Sequence, residues 1–284
     1  MTTRFAFSTN AYTRFALPEA LRRIRRIGFR AVEILADKPH AWLPAMSSRA
    51  VAGLAARLDR LGLAVSTVNA NTACGFFRDA PPEPFFEPSF VSPRAEWREW
   101  RVAYAKKAVE LAAGCRAAAV TVTSGRLLGG VPPARAGDLL RAALDRVLEH
   151  AGKCGGVRVG IEYEPGLFVE RAAELAALID RVGHPLLGAN LDLGHALVAG
   201  DGVAAAVQML AGRIWSVHLE DLPAGKHYHL PPGEGDFPFA EAKGALERAG
   251  FHGWLTWEIY TATADPDAAA RKASAFSRRV WPQL

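Results

Sequence analysis

Cysteine is scarce in this 284-residue chain. Cys74, Cys115 and Cys154 are far apart, odd in number and form no CxxC pair. That argues against a disulfide framework and a thiolate zinc site, and it makes a reducing cytoplasm the expected compartment. No apolar run reaches ~18 residues, so no membrane span is expected. The N-terminal stretch MTTRFAFSTNAY alternates polar and apolar residues and lacks the long apolar core of a secretion signal. It reads as a first strand. No GxGxxG follows that strand, which counts against a dinucleotide-binding fold. Charge of one sign is only modestly in excess, with 34 Lys and Arg against 29 Asp and Glu for a net +5. The basic clusters Arg22, Arg23, Arg25, Arg26 and Arg278, Arg279 fall on the predicted first and last helices. Solvated helix faces are the expected reading there, and no nucleic-acid partner is expected.

Half of the residues are hydrophobic and 22% are charged, which suits a large buried core. The chain alternates strand and helix from end to end. Strands are expected at 4–9, 30–35, 64–69, 117–123, 157–162, 186–192, 213–219 and 253–259. Helices are expected at 17–28, 48–62, 92–114, 134–154, 169–182, 202–212, 238–249 and 266–279. Leu139, Ala142, Ala143, Leu144 and Val147 show the helical recurrence of apolar positions. Gly28, Gly62 and Gly250 stand where helices should end, and Pro18, Pro133 and Pro266 where they should begin. Eight such units predict a parallel sheet closed into a single (β/α)8 barrel spanning 1–284, a fold that typically takes ~250 residues. An open doubly wound sheet is the alternative.

Two loops break the regularity. Residues 70–93, after strand 3, are rich in Pro and Phe. A loop of that length is usually functional or disordered. Its Phe76, Phe77, Phe85, Phe86 and Phe90 could form an apolar lid over a site or simply plug one barrel end. The second loop, 220–237, reads EDLPAGKHYHLPPGEGDF.

Four strands of the second half each end in a metal-ligand residue. VRVGIE ends at Glu162, LLGANLD at Asp192, RIWSVH at His218 and WLTWE at Glu258, one strand–helix unit apart. Consecutive strand ends of a parallel barrel converge on one face, and that face carries the chemistry. Two Glu, one Asp and one His make a mixed oxygen and nitrogen site for one divalent ion, suited to Mn²⁺, Mg²⁺, Co²⁺ or Zn²⁺, with no organic cofactor. Each residue also has an ordinary reading. Glu164 competes with Glu162, because alternation puts both on one side of the strand, and it could instead pair with Arg158. His218 alone would more often be a satisfied core histidine. Glu258 ends an apolar strand, where a carboxylate is costly unless paired or ligating. Glu33 and Asn10 should point to the same mouth. Asn69 and Ser124 are candidates for binding substrate hydroxyls, and Arg126 for a phosphate.

The stretches VGIEYEPG, GANLDLGHA, SVHLEDL, HYHLPPGEGDF and GWLTWEIY, in this order, make the chain similar to the xylose-isomerase-like barrel superfamily. That group holds sugar isomerases and epimerases and an apurinic endonuclease branch. The resemblance implies that Glu162, Asp192, His218 and Glu258 hold one divalent ion. It also implies that Glu162 and Glu258 serve as paired acid and base, and that His195 contacts substrate or a further metal. His229, beside the Gly233-Glu234-Gly235 turn, is a separate candidate for contacting substrate or a phosphate. In the endonuclease branch three zincs are held, one of them by histidines after strands 3 and 4. Here Asn69, Asn71 and Ser124 occupy those places. A second ion on His195, His227 and His229 is a further candidate.

Moving hydrogen between neighbouring carbons of a hydroxy-ketone needs a base, an acid and positive charge near two developing oxyanions. The constellation therefore points to a metal-dependent isomerase or epimerase of a small sugar, keto-sugar or polyol, with a zinc-dependent phosphodiesterase as the alternative. The oligomeric state does not follow from the sequence, and a homo-oligomer is admissible.

Overall fold

A computed structural model describes residues 4–79 and 86–281. Eight parallel strands close into a barrel in chain order. They are β1 (Arg4–Ser8), β2 (Ala31–Leu35), β3 (Ala64–Asn69), β4 (Ala119–Thr123), β5 (Arg158–Glu162), β6 (Leu187–Asp192), β7 (Ile214–Leu219) and β8 (Trp254–Trp257). Around them run α1 (Leu17–Ile27), α2 (Ser48–Leu61), α3 (Ala95–Cys115), α4 (Pro133–Lys153), α5 (Ala172–Val182), α6 (Leu193–Val198), α7 (Val203–Met209), α8 (Phe239–Arg248) and α9 (Pro266–Val280). The expected barrel and its eight units are present. Among the described residues, no helix is long and apolar enough to cross a membrane.

Local chemistry explains the elements. Strands such as β4 (AVTVT) are rich in β-branched residues, whose stiff side chains suit a pleated surface. Pro lies in the first turn of α1, α4 and α9, where its missing N–H removes no helix bond. Helix α2 stops at Gly62, whose φ of 61° is costly for a residue with a Cβ. The largest deviations from expectation are three residues: α3 begins at Ala95 rather than 92, α5 at Ala172 rather than 169, and α7 ends at Met209 rather than 212. Short α6 was not expected at all, because its one and a half turns directly continue β6 without any loop signal.

Apolar and polar residues alternate along the strands. Val32, Val68, Val122 and Leu191 are fully buried, and each neighbours an inward residue, Glu33, Asn69, Thr123 or Asp192, so it faces the surrounding helices. Beneath the mouth, the Thr256 hydroxyl on β8 donates to Ser66 Oγ on β3 at 3.1 Å, a bond across the barrel. Outside, Trp257 is wholly buried and its indole N–H donates to Ser277 on α9 at 2.8 Å. This ties the last strand to the last helix.

Arg101 of α3 supports the mouth from below. Its buried guanidinium donates to the carbonyls of Ala70 at 2.6 Å and Asn71 at 2.9 Å. Those carbonyls lie just after β3, and that of Asn71 also accepts from the Thr123 hydroxyl at 3.1 Å. Arg101→Leu should strip a donor from each and destabilise the fold by about 2–4 kcal/mol. The urea midpoint reads this out. A midpoint unchanged from wild type would show that the backbone there is held by other means.

Candidate active site

The strand-end residues meet. One ligand atom from each of Glu162, Asp192, His218 and Glu258 lies within 4.8 Å of the others. His218 sits among them, with Nδ1 3.2 Å from Glu162 Oε2, 3.3 Å from Glu258 Oε2 and 3.9 Å from Asp192 Oδ2. On its other side Nε2 lies 2.8 Å from Glu33 Oε2, and the Thr67 hydroxyl also donates to that oxygen. Glu33 thereby orients the ring as an outer carboxylate orients a ligating histidine. Asp192 Oδ2 is buried and has no hydrogen-bond partner among the described residues. A solitary buried carboxylate oxygen is costly, and coordination to a divalent cation would satisfy it. The donor set fits such an ion.

A ring of asparagines fixes the two glutamates. Asn10 and Asn69 both donate to Glu258 Oε1 at 2.9 Å. Asn71 donates to Glu162 Oε2 at 2.9 Å, and Asn190 donates to the same atom. Asn190 follows a register shift between β6 and β7, the kind of irregularity that re-aims a side chain near a site. Behind Asp192 lies the buried carboxyl of Glu220, and a Cβ on Gly194 would fall on its Oε1. Only glycine allows α6 to start there while Glu220 keeps its place.

Three histidines form a second group. His195 Nδ1 donates to the Tyr163 carbonyl at 2.9 Å, and His229 Nδ1 to the Glu258 carbonyl at 2.6 Å. Each ring is thereby left with Nε2 facing His227 Nε2, at 2.9 and 3.2 Å respectively. All three histidines offer an atom within 4.8 Å of the others, as do Glu162, Glu164 and His195. Both groups border a cavity of about 330 Å³ lined also by Asn10, Asn69, Asn71, Asp37 and Tyr260.

Burial and crowding set the proton affinities. Burial pushes the Glu258 carboxyl up to about 7, against the pull of His218 and with help from Glu162 and Glu33. Burial likewise lifts Glu164 to about 8. Burial and the neighbouring Asp192 raise Glu220 well above the carboxylate range. Burial would lower His218, but Glu258, Glu33 and Glu162 hold it far above its ordinary value. His195 rises to about 9 against its own burial, through Asp192, Glu164 and Glu162. His229 falls to about 3 through burial and the neighbouring His195.

The other expected site residues are distributed less evenly. Ser124 is apart from the cavity: its hydroxyl accepts from Val169 N at 3.0 Å and donates to the Gly125 carbonyl at 3.1 Å. Arg158 is not Glu164's partner, since it begins β5 at the opposite end and stacks 4.5 Å from the Trp215 ring centre. Arg126 is exposed and does not line the cavity. Of the five phenylalanines, Phe86 lines the cavity. Phe90 is in the core, while Phe76 and Phe77 pack on Trp97. Phe85 lies outside the described residues. Sequence reasoning passed over Asn190, Glu220 and Tyr260. Each stands two residues from a recognised ligand, and strand alternation could have found it.

Ion uptake should depend on pH. Glu258 keeps its proton below about 7, and His218 holds one well above its ordinary range. Both must release protons before they can ligate, so affinity rises with pH through this window and falls on acidification. Titration of Mn²⁺ into the protein in buffers of different ionisation heat should show net proton release. Binding without proton release at pH 6 would contradict it.

Comparisons with known proteins agree with this architecture. A solved D-tagatose 3-epimerase-like protein superposes with a TM-score of 0.81 at 22% identity, covering 99% of this chain and 98% of that one. A D-psicose 3-epimerase solved in the presence of D-fructose gives 0.79 at 17% identity, over 98% and 99%. The 3-keto-D-glucoside 4-epimerase of E. coli gives 0.79 at 17% identity, over 98% and 100%. At these identities the likeness establishes a shared fold. The family model of the xylose isomerase-like TIM barrel matches residues 21–280, and the chain belongs to that family.

Proposed function

We propose that this chain is a divalent-metal-dependent isomerase or epimerase of a small sugar, keto-sugar or polyol. The observation that carries the reading is the pair Glu162 and Glu258. Each has one oxygen pinned by two asparagine amides, and both face one small cavity beside the ion-ligand set. The solved barrels of the same shape that are named as epimerases of D-tagatose, D-psicose and 3-keto-D-glucoside type support it.

When bound by Glu162, Asp192, His218 and Glu258, the ion would supply the positive charge that two developing oxyanions require. The remaining work falls to the chain. The amides of Asn10 and Asn69 hold Glu258 at the cavity wall with its second oxygen 3.3 Å from His218 Nδ1, and a carboxyl near neutrality both accepts and returns protons effectively. One glutamate removes the proton from the carbon beside the carbonyl, and the other returns a proton. His195 and His229, their Nδ1 atoms spent on backbone carbonyls, present Nε2 to substrate oxygens. The phosphodiesterase reading is not favoured, because Asn69 and Asn71 are engaged with Glu258 and Glu162 where that branch places a zinc-binding histidine.

Solvent deuterium exchange into a panel of ketohexoses tests the proposal. Wild type should label one carbon, and Glu258→Gln should slow labelling by about 10²–10⁴-fold while remaining folded. Labelling at the wild-type rate in that variant would remove Glu258 from the chemistry.

The converging Nε2 atoms favour a second reading of the histidine group, as a second ion site. Ion content per chain decides between them. His227→Ala keeps the content unchanged if the group meets substrate, and loses one equivalent if it holds an ion.

A further inference from the structure

The two ends of the barrel differ in charge. The mouth gathers Glu33, Glu162, Asp192 and Glu258. The opposite end is built from the segments that lead into the strands, 28–30, 62–63, 116–118, 154–157, 183–186, 210–213 and 249–253. These, with the first residue of each strand, hold Arg4, Arg30, Arg116, Arg158 and Arg213 and not one Asp or Glu. Cations near helix C-termini ordinarily answer the macrodipole, but the last helical turns already carry Arg25, Arg60, Arg181 and Arg248 for that. Arg116 and Arg213 are paired, with Asp59 and Asp180. Arg4 and Arg158 are different. Neither makes a side-chain hydrogen bond or ion pair with any described residue.

Both arginines stand on the inward side of their strands. Arg158 precedes Gly160 and Glu162 at the two-residue period of β5, and Arg4 precedes Ala6 and Ser8 on β1. They line one cavity of about 360 Å³ at this end, together with Trp215, Phe251 and Trp254. That volume is in the range of small-ligand pockets. The rings are held there by the backbone around them. Trp215 is the extra residue at the register shift between β6 and β7, which turns its indole to the cavity. Its N–H donates to the Leu186 carbonyl at 3.1 Å, and a Cβ on Gly188 would collide with the same indole. A Cβ on Gly253 would likewise strike the Phe251 ring. Each guanidinium then lies on an indole, Arg158 at 4.5 Å from the centre of Trp215 and Arg4 at 5.0 Å from that of Trp254. An indole face attracts the cation and fixes its plane but supplies no acceptor, so the N–H donors stay unspent.

Two forked cations, aromatic walls and no lining carboxylate suit a dianion that accepts bidentate hydrogen bonds and carries a small organic body. A phosphate monoester has that charge and geometry. A phosphodiester chain spreads single charges along a line and suits a long basic groove more than a cavity of this size. We propose that this end of the barrel binds a small phosphate monoester through Arg4 and Arg158, at a site separate from the one at the mouth.

Titration calorimetry with glycerol 3-phosphate tests it, with malonate and a short oligonucleotide as the other probes. Glycerol 3-phosphate should bind with a Kd on the order of 0.1 mM, and about tenfold more tightly than malonate. Arg4→Gln and Arg158→Gln should each weaken it about tenfold, and Arg158→Lys, which keeps the charge but loses the fork, about threefold or more. Both arginines are exposed, so these variants should fold, which a cooperative urea transition checks. Undiminished binding in the doubly substituted protein overturns the proposal, because capture by an ion at the mouth would behave that way. So does malonate binding equally tightly, which would leave an unselective anion cradle. The oligonucleotide binding more tightly than glycerol 3-phosphate would make this a nucleic-acid surface instead, and absence of binding at millimolar glycerol 3-phosphate ends the proposal outright. None of these outcomes touches the sugar reading of the mouth.

Discussion

One imidazole among four carboxylates is the interaction on which the mouth of this barrel depends. His218 stands within 4 Å of Glu33, Glu162, Asp192 and Glu258, and no other ring in the chain is so placed among the described residues. Two carboxylates about 4 Å apart repel by roughly 4 kcal/mol at an effective dielectric of 20. Such a cluster persists only if protons or cations are shared within it. The protein alone does this by keeping a proton on His218 and raising Glu258, and a divalent ion would do the same by displacing those protons. The barrel forces the arrangement, because strand ends that would otherwise separate are locked in register around a closed circle.

Neutral donors complete what the histidine begins. Asn10, Asn69, Asn71 and Asn190 orient the two glutamates through amide hydrogens without adding charge. Arginine in those places would have steered the same oxygens more strongly, but it would have filled the cavity and offset the negative field. Rigid positioning is thus obtained from dipoles, and the net charge of the site is left to whatever enters it.

Much of this could be read in the residues. Eight strand–helix units announced the barrel, and carboxylate or histidine at four successive strand ends announced where the chemistry converges. What escaped reading depends on contacts between distant segments. Ser124 looked like a hydroxyl for substrate, but a single backbone N–H, that of Val169, claims it. Phe76 and Phe77 looked like a lid, but Trp97 on α3 offered them a larger aromatic surface. Asp37 carries no motif at all, and its role exists only because two loops after neighbouring strands meet at its carboxylate. Asn190 and Glu220 were legible in principle through the two-residue alternation of a strand. They were hidden because Asn and Glu in an apolar run draw less notice than His.

The turn after β6 has a bearing on how such a chain can change over generations. At position 194 a single methyl group would occupy the place of the Glu220 carboxyl. A larger residue at 194 therefore requires either that the Glu220 carboxyl, the far end of its side chain, swing away from Asp192 or that a shorter residue stand at 220. The two positions, on different strand–helix units, are thus coupled, and a change at one alters what the other can hold.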